Sequence, residues 1–438
     1  MEGVDQGVSS ARKTVAVIGG GWSGLAAAVT LAQAGIPVTV FEAARQLGGR
    51  ARRVDYRGSV LDNGQHILLG AYRETLRLLD LMGADSADLL RLPLTLSVPQ
   101  RFHLQAPRLP NPLHLLAALG RARGLSAGER LGAVRFMLAL RWQGFRLDQD
   151  LSVDALLQRH RQGGGLYRYL WEPLCLAALN TPTATASAQA FLNVLRDGLS
   201  RSRADSDMLL PQTDLGALFP QRARAYIEAR GGEVALSCPV TAVRAAGGQF
   251  LLATADGERA FSHVVCAVPP QRLGDLTADL PELGEATRLA ASLRYQPIYT
   301  VYLRYPPEVR LPGPMLGLCG LAQWIFDHGR LGRERGLLAA VISAEGAHQA
   351  LGRDDLANRI HAELDAAFGP LPAPLWHKTI AEKRATFACT PGLARPSQGT
   401  PLNNFHLAGD YTAGDYPATL EGAVQSGVKC ARQILESP

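Results

Sequence analysis

The sequence predicts an α/β protein. One domain, on a parallel sheet, is assembled from three separated segments, and a mixed α+β domain is inserted between them. Three observations predict this. An apolar strand runs into a glycine-rich turn and a helix near the start of the chain. The same strand-and-helix texture returns over residues 215–270 and again over 395–438. The stretches between, 90–214 and 271–394, differ from it in character.

Residues 14–18 are apolar and β-branched, the pattern of a parallel strand buried on both faces. Gly19–Gly24 form a turn, residues 25–34 have Ala-rich helical composition, and Gly35 supplies the stop. Residues 37–41 form a second strand ending at Glu42, which completes a βαβ unit of right-handed crossover. In the second segment, 219–230 reads as a helix stopped by Gly231-Gly232. Short strands follow at 234–236, 240–245 and 249–254, with turns at Gly247-Gly248 and Asp256-Gly257. Another apolar strand, 263–268, ends at Pro269-Pro270. The third segment has a strand running into a loop at 405–410 and a helix over 419–435. The first insertion, 90–214, reads as mostly helical, with helices at 113–119 and 126–142, the latter opened by a Ser126/Glu129 capping box. The second, 271–394, mixes strands at 298–305 and 337–343 with a helix over 354–368. Residues 11–89, 215–270 and 395–438 are thus assigned to one domain, and the two insertions together to the other.

With 438 residues, 47% apolar and 19% charged, the chain can bury a large core, which excludes overall disorder. Lys and Arg total 45 against 39 Asp and Glu, a net charge of +6. That excess permits attraction to phosphates or to an anionic membrane face but does not argue for nucleic acid. The six cysteines are scattered with no CxxC, against a zinc site or redox dithiol, and no metal is expected. Cys238 and Cys266 sit in apolar runs and read as buried thiols. Residues 1–13 are polar and Gly/Ser-rich, unlike a secretory signal, and no run reaches the roughly 18 apolar residues of a bilayer span. The expectation is a cytoplasmic protein, soluble or lying on the inner face of the membrane.

The turn carries the chemistry. Gly19 lets the chain turn into the helix, Gly21 lets backbone approach a pyrophosphate, and Gly24 lets the helix pack close to the strand. Free N–H groups and the dipole at the helix N-terminus favour phosphate. Glu42, close to the roughly 20-residue spacing of such Rossmann-like units, can accept from a ribose hydroxyl and would repel a 2′-phosphate. Gly48-Gly49-Arg50 adds a second glycine pair and a guanidinium, which a simple nicotinamide dehydrogenase does not need.

Val-Ile-Gly-Gly-Gly-Trp-Ser-Gly-Leu-Ala-Ala-Ala (17–28), Val-Phe-Glu-Ala (40–43) and Gly-Gly-Arg (48–50) resemble the flavin-dependent amine oxidase and phytoene desaturase superfamily. So do Leu-Ala-Gly-Asp (407–410) and Tyr-Pro-Ala-Thr-Leu-Glu-Gly-Ala-Val-Gln-Ser-Gly (416–427). Three middle motifs are similar to its hydroxysqualene dehydroxylase branch, of bacterial hopanoid synthesis. They are Leu-Asp-Asn-Gly-Gln-His-Ile-Leu-Leu-Gly-Ala-Tyr (61–72), Trp-Glu-Pro-Leu-Cys-Leu-Ala-Ala-Leu-Asn-Thr-Pro (171–182) and Phe-Leu-Asn-Val-Leu-Arg-Asp (191–197). The resemblance implies an FAD-binding domain of the amine oxidase/desaturase type. Gly19, Gly21, Ser23 and Gly24 would wrap the diphosphate, Glu42 would hold the ribose, and Gly49 and Arg50 would contact the diphosphate region. Gly64, Gln65 and His66 would lie close to the flavin ring, and the main chain of Val240 would meet the adenine. Gly409 and Asp410 would hold the ribityl–phosphate side, and Thr419 and Leu420 would bring a helix N-terminus to the pyrimidine edge.

The resemblance also implies a reaction: hydroxysqualene loses its protonated allylic hydroxyl as water and takes hydride from reduced FAD, giving squalene. His66, Asp62 and Asp415 are the candidate acids. An unidentified electron donor is required. Amine oxidation is disfavoured, because that branch places a Lys near the flavin and this chain has none between Lys13 and Lys378. Cys389 does not sit in surroundings suited to a covalent flavin link, so non-covalent FAD is expected. The alternatives are a carotenoid-type desaturase, with hydride flowing to the flavin, and a non-redox isoprenoid escort, which should have lost the glycines or Glu42. A greasy substrate would arrive from lipid. Residues 110–147, where leucines and aromatics interleave with Arg121, Arg123, Arg130, Arg135, Arg141 and Arg146, could make a basic amphipathic face for that contact.

Overall fold

The computed structural model describes residues 13–437. The polar stretch read over residues 1–13 lies, up to residue 12, outside them. Strand β1 (Val15–Ile18), helix α1 (Trp22–Gln33) and strand β2 (Val38–Phe41) form the expected βαβ unit. β1 lies at the centre of a five-stranded parallel sheet, in the order Glu233–Ala235, β2, β1, His263–Cys266, Phe405–Leu407. Strands from three distant stretches therefore make one sheet. All four residues of β1 are buried because both faces are covered, as its uniformly apolar composition requires: Val15 and Val17 share a core with α1 and the C-terminal helix, while Ala16 and Ile18 share one with Val243, Phe250 and Phe261 of a three-stranded antiparallel sheet.

A second sheet, five-stranded and antiparallel, is built from Met315–Gly317, Trp324–Asp327, Leu337–Ser343, Tyr295–Arg304 and Trp376–Phe387. Side chains alternate across it with period two. Leu338, Ala340 and Ile342 pack under the helix Arg353–Phe368, while Leu337, Ala339 and Val341 face the main core.

Helix α2 (Arg73–Leu81) precedes the first insertion, which carries short strands besides its helices. Its helices, including α3 (Leu113–Arg121) and α4 (Ala127–Trp142), lie between strands at both ends: Leu89–Leu92, Thr95–Val98 and Phe102–Gln105 before, Met208–Pro211 after. Met208–Pro211 pairs with both Leu68–Leu69 and Leu89–Leu92, so a boundary at 89/90 cuts through a strand. Apolar runs of four residues do not separate strand from helix by periodicity, which is why the sequence misleads there. The expected capping box is present: Ser126 Oγ accepts from the Glu129 N–H at 3.2 Å, and Glu129 Oε2 accepts from the Ser126 N–H at 2.7 Å. Cys266 is buried as expected, but Cys238 is half-buried on a loop, its N–H donating to Glu42 O. Among the described residues no helix is long and apolar enough to cross a membrane.

Two glycines set the layer spacing. A Cβ on Gly24 would lie 2.0 Å from Gly19 O and 3.1 Å from a Val17 methyl, so α1 rests directly on the β1 turn. A Cβ on Gly427, in the C-terminal helix Leu420–Glu436, would lie 2.0 Å from Ser23 O. Backbone packs on backbone across both contacts. The substitution Gly427→Ala should therefore destabilise the protein by about 1–3 kcal/mol through overpacking, although alanine is the better helix former by about 1 kcal/mol. Denaturant unfolding monitored by circular dichroism measures this, and unchanged or raised stability would refute the spacing argument.

Candidate functional site

A cavity of about 630 Å³, within the roughly 300–1,000 Å³ usual for cofactor and ligand sites, opens at the carboxyl edge of the parallel sheet. Nearly every predicted cofactor residue lines it. From the first segment come Gly19, Gly21, Ser23, Glu42, Gly49 and Arg50. Gly64, Gln65 and His66 follow along the wall, Val240 enters from the second segment, and Gly409, Asp410, Thr419 and Leu420 from the third. Gly24 lies behind the wall, in the packing role read from its spacing.

Short backbone contacts hold these pieces together. The Gly48 N–H donates to Gly20 O at 2.8 Å, bringing the second glycine pair onto the first turn. Gly19, at φ +110°, makes that first turn, and a Cβ there would meet Ala267 O at 2.6 Å. Glu42 accepts from the Gly20 and Ala44 N–H groups, each at 2.7 Å. Arg50 joins the first segment to the third: its Nη2 lies 2.6 Å from Asp410 Oδ1, and its Nη1 donates to Ala385 O at 2.7 Å. Thr419 caps the C-terminal helix, its Oγ1 accepting from the Gly422 N–H at 3.1 Å. That helix and α1 thus both present their N-termini to the cavity, where unpaired N–H groups and dipoles favour negative charge.

These residues fit a dinucleotide. A Cβ at Gly21 would meet nothing within 4 Å, so the glycine leaves room for a ligand against the backbone. Ser23 Oγ, buried beside it, has no partner among the described residues. Farther from the glycine turns the wall turns apolar, with Leu176, Ile298, Trp324, Phe326 and Val341. FAD would be held by the glycine turns, Glu42 and the Gly409–Asp410 loop, leaving the apolar part for a second ligand.

The three candidate acids are not brought together. Asp415 is exposed, pairs with Arg196 at 3.2 Å and borders a separate hollow of about 340 Å³. Asp62 is buried but does not line the cavity. Its Oδ2 takes Arg333 Nη1 at 2.7 Å and its Oδ1 takes the Leu215 N–H at 2.8 Å. Burial pushes its carboxyl up while Arg333 pulls it back, and both oxygens are engaged. Only His66 faces the cavity. Its Nδ1 lies 2.7 Å from Gly64 O, which can only accept, so Nδ1 carries the hydrogen and Nε2 is bare. Burial holds the imidazole below its ordinary pKa. The resting ring is therefore a neutral acceptor with no proton to give at Nε2.

The sequence did not single out the braces behind this segment. Tyr302 Oη donates to Asp62 O at 3.0 Å, His328 Nε2 lies 3.1 Å from Gln65 Oε1, and Asn63 Nδ2 reaches Glu382 at 3.2 Å. All come from or beside the antiparallel sheet. The one local signal was polar Asp327-His328 closing an apolar strand. Asn180, at the end of the 171–182 motif, donates to Pro297 O and Thr386 Oγ1 and accepts from the Ala344 N–H, locking its helix to the same sheet.

Fold and cradle together define an FAD-dependent oxidoreductase. Residues 22–435 match the family described as flavin containing amine oxidoreductase, and the chain belongs to that family. It is 32% identical to the hydroxysqualene dehydroxylase of Rhodopseudomonas palustris, over 97% of this chain and 98% of that one. It is 25% identical to a probable zeta-carotene desaturase of Synechococcus elongatus, again over 97% and 98%. A solved oxidoreductase from Methanosarcina mazei superposes with a TM-score of 0.74 at 15% identity, covering 97% of this chain and 100% of that one, a likeness of fold.

The Asp62–Arg333 pair is nearly inaccessible, with side-chain exposures of 2% and 8%. Arg333→Met should cost about 3–5 kcal/mol, because it strands a buried carboxylate. Chemical denaturation reads this, and a loss below about 1 kcal/mol would show that the pair is not a brace.

Proposed function

We propose that the protein reduces hydroxysqualene to squalene, removing the allylic hydroxyl of a long isoprenoid as water and replacing it with hydride. One observation carries this reading: a single cavity joins the dinucleotide cradle to an apolar wall. The hydroxysqualene dehydroxylase name of a relative matched along its length supports the choice of alcohol. When bound, without a covalent link, FAD supplies the hydride, and an electron donor must reduce it. Cys389 is buried away from the cavity wall, consistent with non-covalent binding.

The chain's own residues do the rest. Leu176, Ile298, Phe326 and Val341 hold the hydrocarbon and keep water from a cationic carbon. Of the candidate acids only His66 borders the substrate space, and it must take a proton at Nε2 before it can give one. The zeta-carotene desaturase relative supports a second reading, oxidation of a polyprenyl hydrocarbon with hydride flowing the other way. Anaerobically reduced holoprotein mixed with hydroxysqualene should yield squalene and reoxidised flavin. Flavin that stays reduced, with no squalene, would exclude the dehydroxylase reading, and oxidation of phytoene would select the desaturase.

Substrate of this kind comes from lipid, and α4 offers a surface for it. Leu131, Arg135, Leu138 and Trp142 recur along one outward face, with Trp142 93% exposed, and Leu113 and Leu116 are exposed on α3. Of the other apolar residues expected there, Leu119, Leu140 and Phe145 are core, and Val134 and Met137 pack half-buried against it. The protein should co-sediment with anionic liposomes, less so at high salt. Leu138→Glu with Trp142→Glu should abolish most of that binding, and undiminished binding would remove α4 from the membrane.

A further inference from the structure

Asn180 lines the cavity with its amide fully engaged. Asn63 Nδ2 donates to Arg50 O and Glu382, but Asn63 Oδ1, Trp324 Nε1 and Tyr411 Oη have no protein partner among the described residues. Gln65 and His66 are set apart as adjacent cavity residues in which one polar atom is held by the protein and the other has no protein partner among the described residues.

The character of those two atoms follows from their neighbours. His328 is fully buried, and its Nδ1 has no partner among the described residues. A hydrogen on Nδ1 would be an orphaned buried donor, which is costlier than a bare nitrogen, so the hydrogen sits on Nε2 and is donated to Gln65 Oε1. The amide of Gln65 is thereby fixed with its NH2 as the free group. His328 is itself held: its ring packs edge-on to Tyr302 at 5.8 Å, and its N–H donates to Leu337 O. His66, with its hydrogen on Nδ1, offers a bare Nε2. Neighbouring residues thus present one donor and one acceptor beside an apolar wall. A hydroxyl group both accepts and donates, and it satisfies that pair. A hydrocarbon satisfies neither.

We propose that Gln65 and His66 form a clamp for the single hydroxyl of a long apolar substrate, and that His328 is the positioning residue that aims Gln65. The clamp rests on the reading above for the identity of the alcohol. It makes Gln65 the determinant that separates an alcohol from the corresponding hydrocarbon. Sites built around a substrate hydroxyl discriminate strongly against analogues lacking it, because their own polar groups are then left unpaired.

The test uses oxidised, FAD-loaded protein, in which no turnover occurs, and reads the binding of hydroxysqualene and of squalene from the flavin absorbance. Wild type should bind the alcohol about tenfold more tightly or better, the worth of one or two net hydrogen bonds. Gln65→Leu should bring the ratio towards one with squalene affinity kept. His328→Phe should do the same, and His328→Gln, which can still donate to Gln65, should restore much of the preference. A ratio unchanged in Gln65→Leu overturns the clamp. So does a parallel fall in both affinities, or a variant that alters only FAD affinity, since the pair would then serve the cofactor. An alcohol preference with no squalene formed by the reduced protein would sink the proposed reaction but leave the clamp standing.

Discussion

Everything at the site depends on two contacts in which no side chain intervenes. α1 rests on the β1 turn at Gly24, and the C-terminal helix rests on α1 at Gly427. Backbone-to-backbone approach brings three layers closer than any other residue would allow. Both helices have their N-terminal residues on the same cavity, Trp22 and Ser23 for α1 and Thr419 and Leu420 for the C-terminal helix. A dinucleotide spreads its diphosphate and its ring system over some distance, so the two ends must be set by one rigid stack. Separate loops would not hold that geometry.

A second set of contacts ties this stack to the antiparallel sheet. The stretch 62–66, within the first segment, is gripped from the far side by Tyr302, Arg333, His328 and Glu382. All four grips involve a polar group that is buried on at least one side, which makes each contact costly to lose. The wall between cradle and apolar space is thus held from both domains. It presents a histidine kept neutral and an amide kept in one orientation. Burial, which would penalise a free charge, here preserves a defined pattern of donor and acceptor.

Family membership and the cradle make the flavin assignment firm, while the direction of hydride flow turns on the other half of the cavity. Here that half is lined by Leu176, Ile298, Phe326 and Val341, with Gln65 and His66 on the same cavity. The exposed face of α4 lies apart from the cavity, on the same helix that buries Phe136 and Leu140.

The sequence by itself determined the parallel sheet, the glycine turns and the helix caps. Each of these depends on neighbours close along the chain: a β-branched run, a missing Cβ, a Ser three positions before a Glu. It brought the candidate cofactor residues Gly19, Gly21 and Glu42 to one cavity for the same reason, since they belong to one continuous βαβ unit. The short strands flanking the first insertion were misread, because four apolar residues carry too little periodicity. Only the tertiary structure decided the fate of the candidate acids. Asp62 became a brace and Asp415 a surface ion pair because of partners far away in sequence, Arg333 and Arg196, while His66 became a neutral acceptor through its burial in the folded protein and its bond to Gly64 O. Protonation and orientation follow from three-dimensional surroundings, and a linear pattern does not record them.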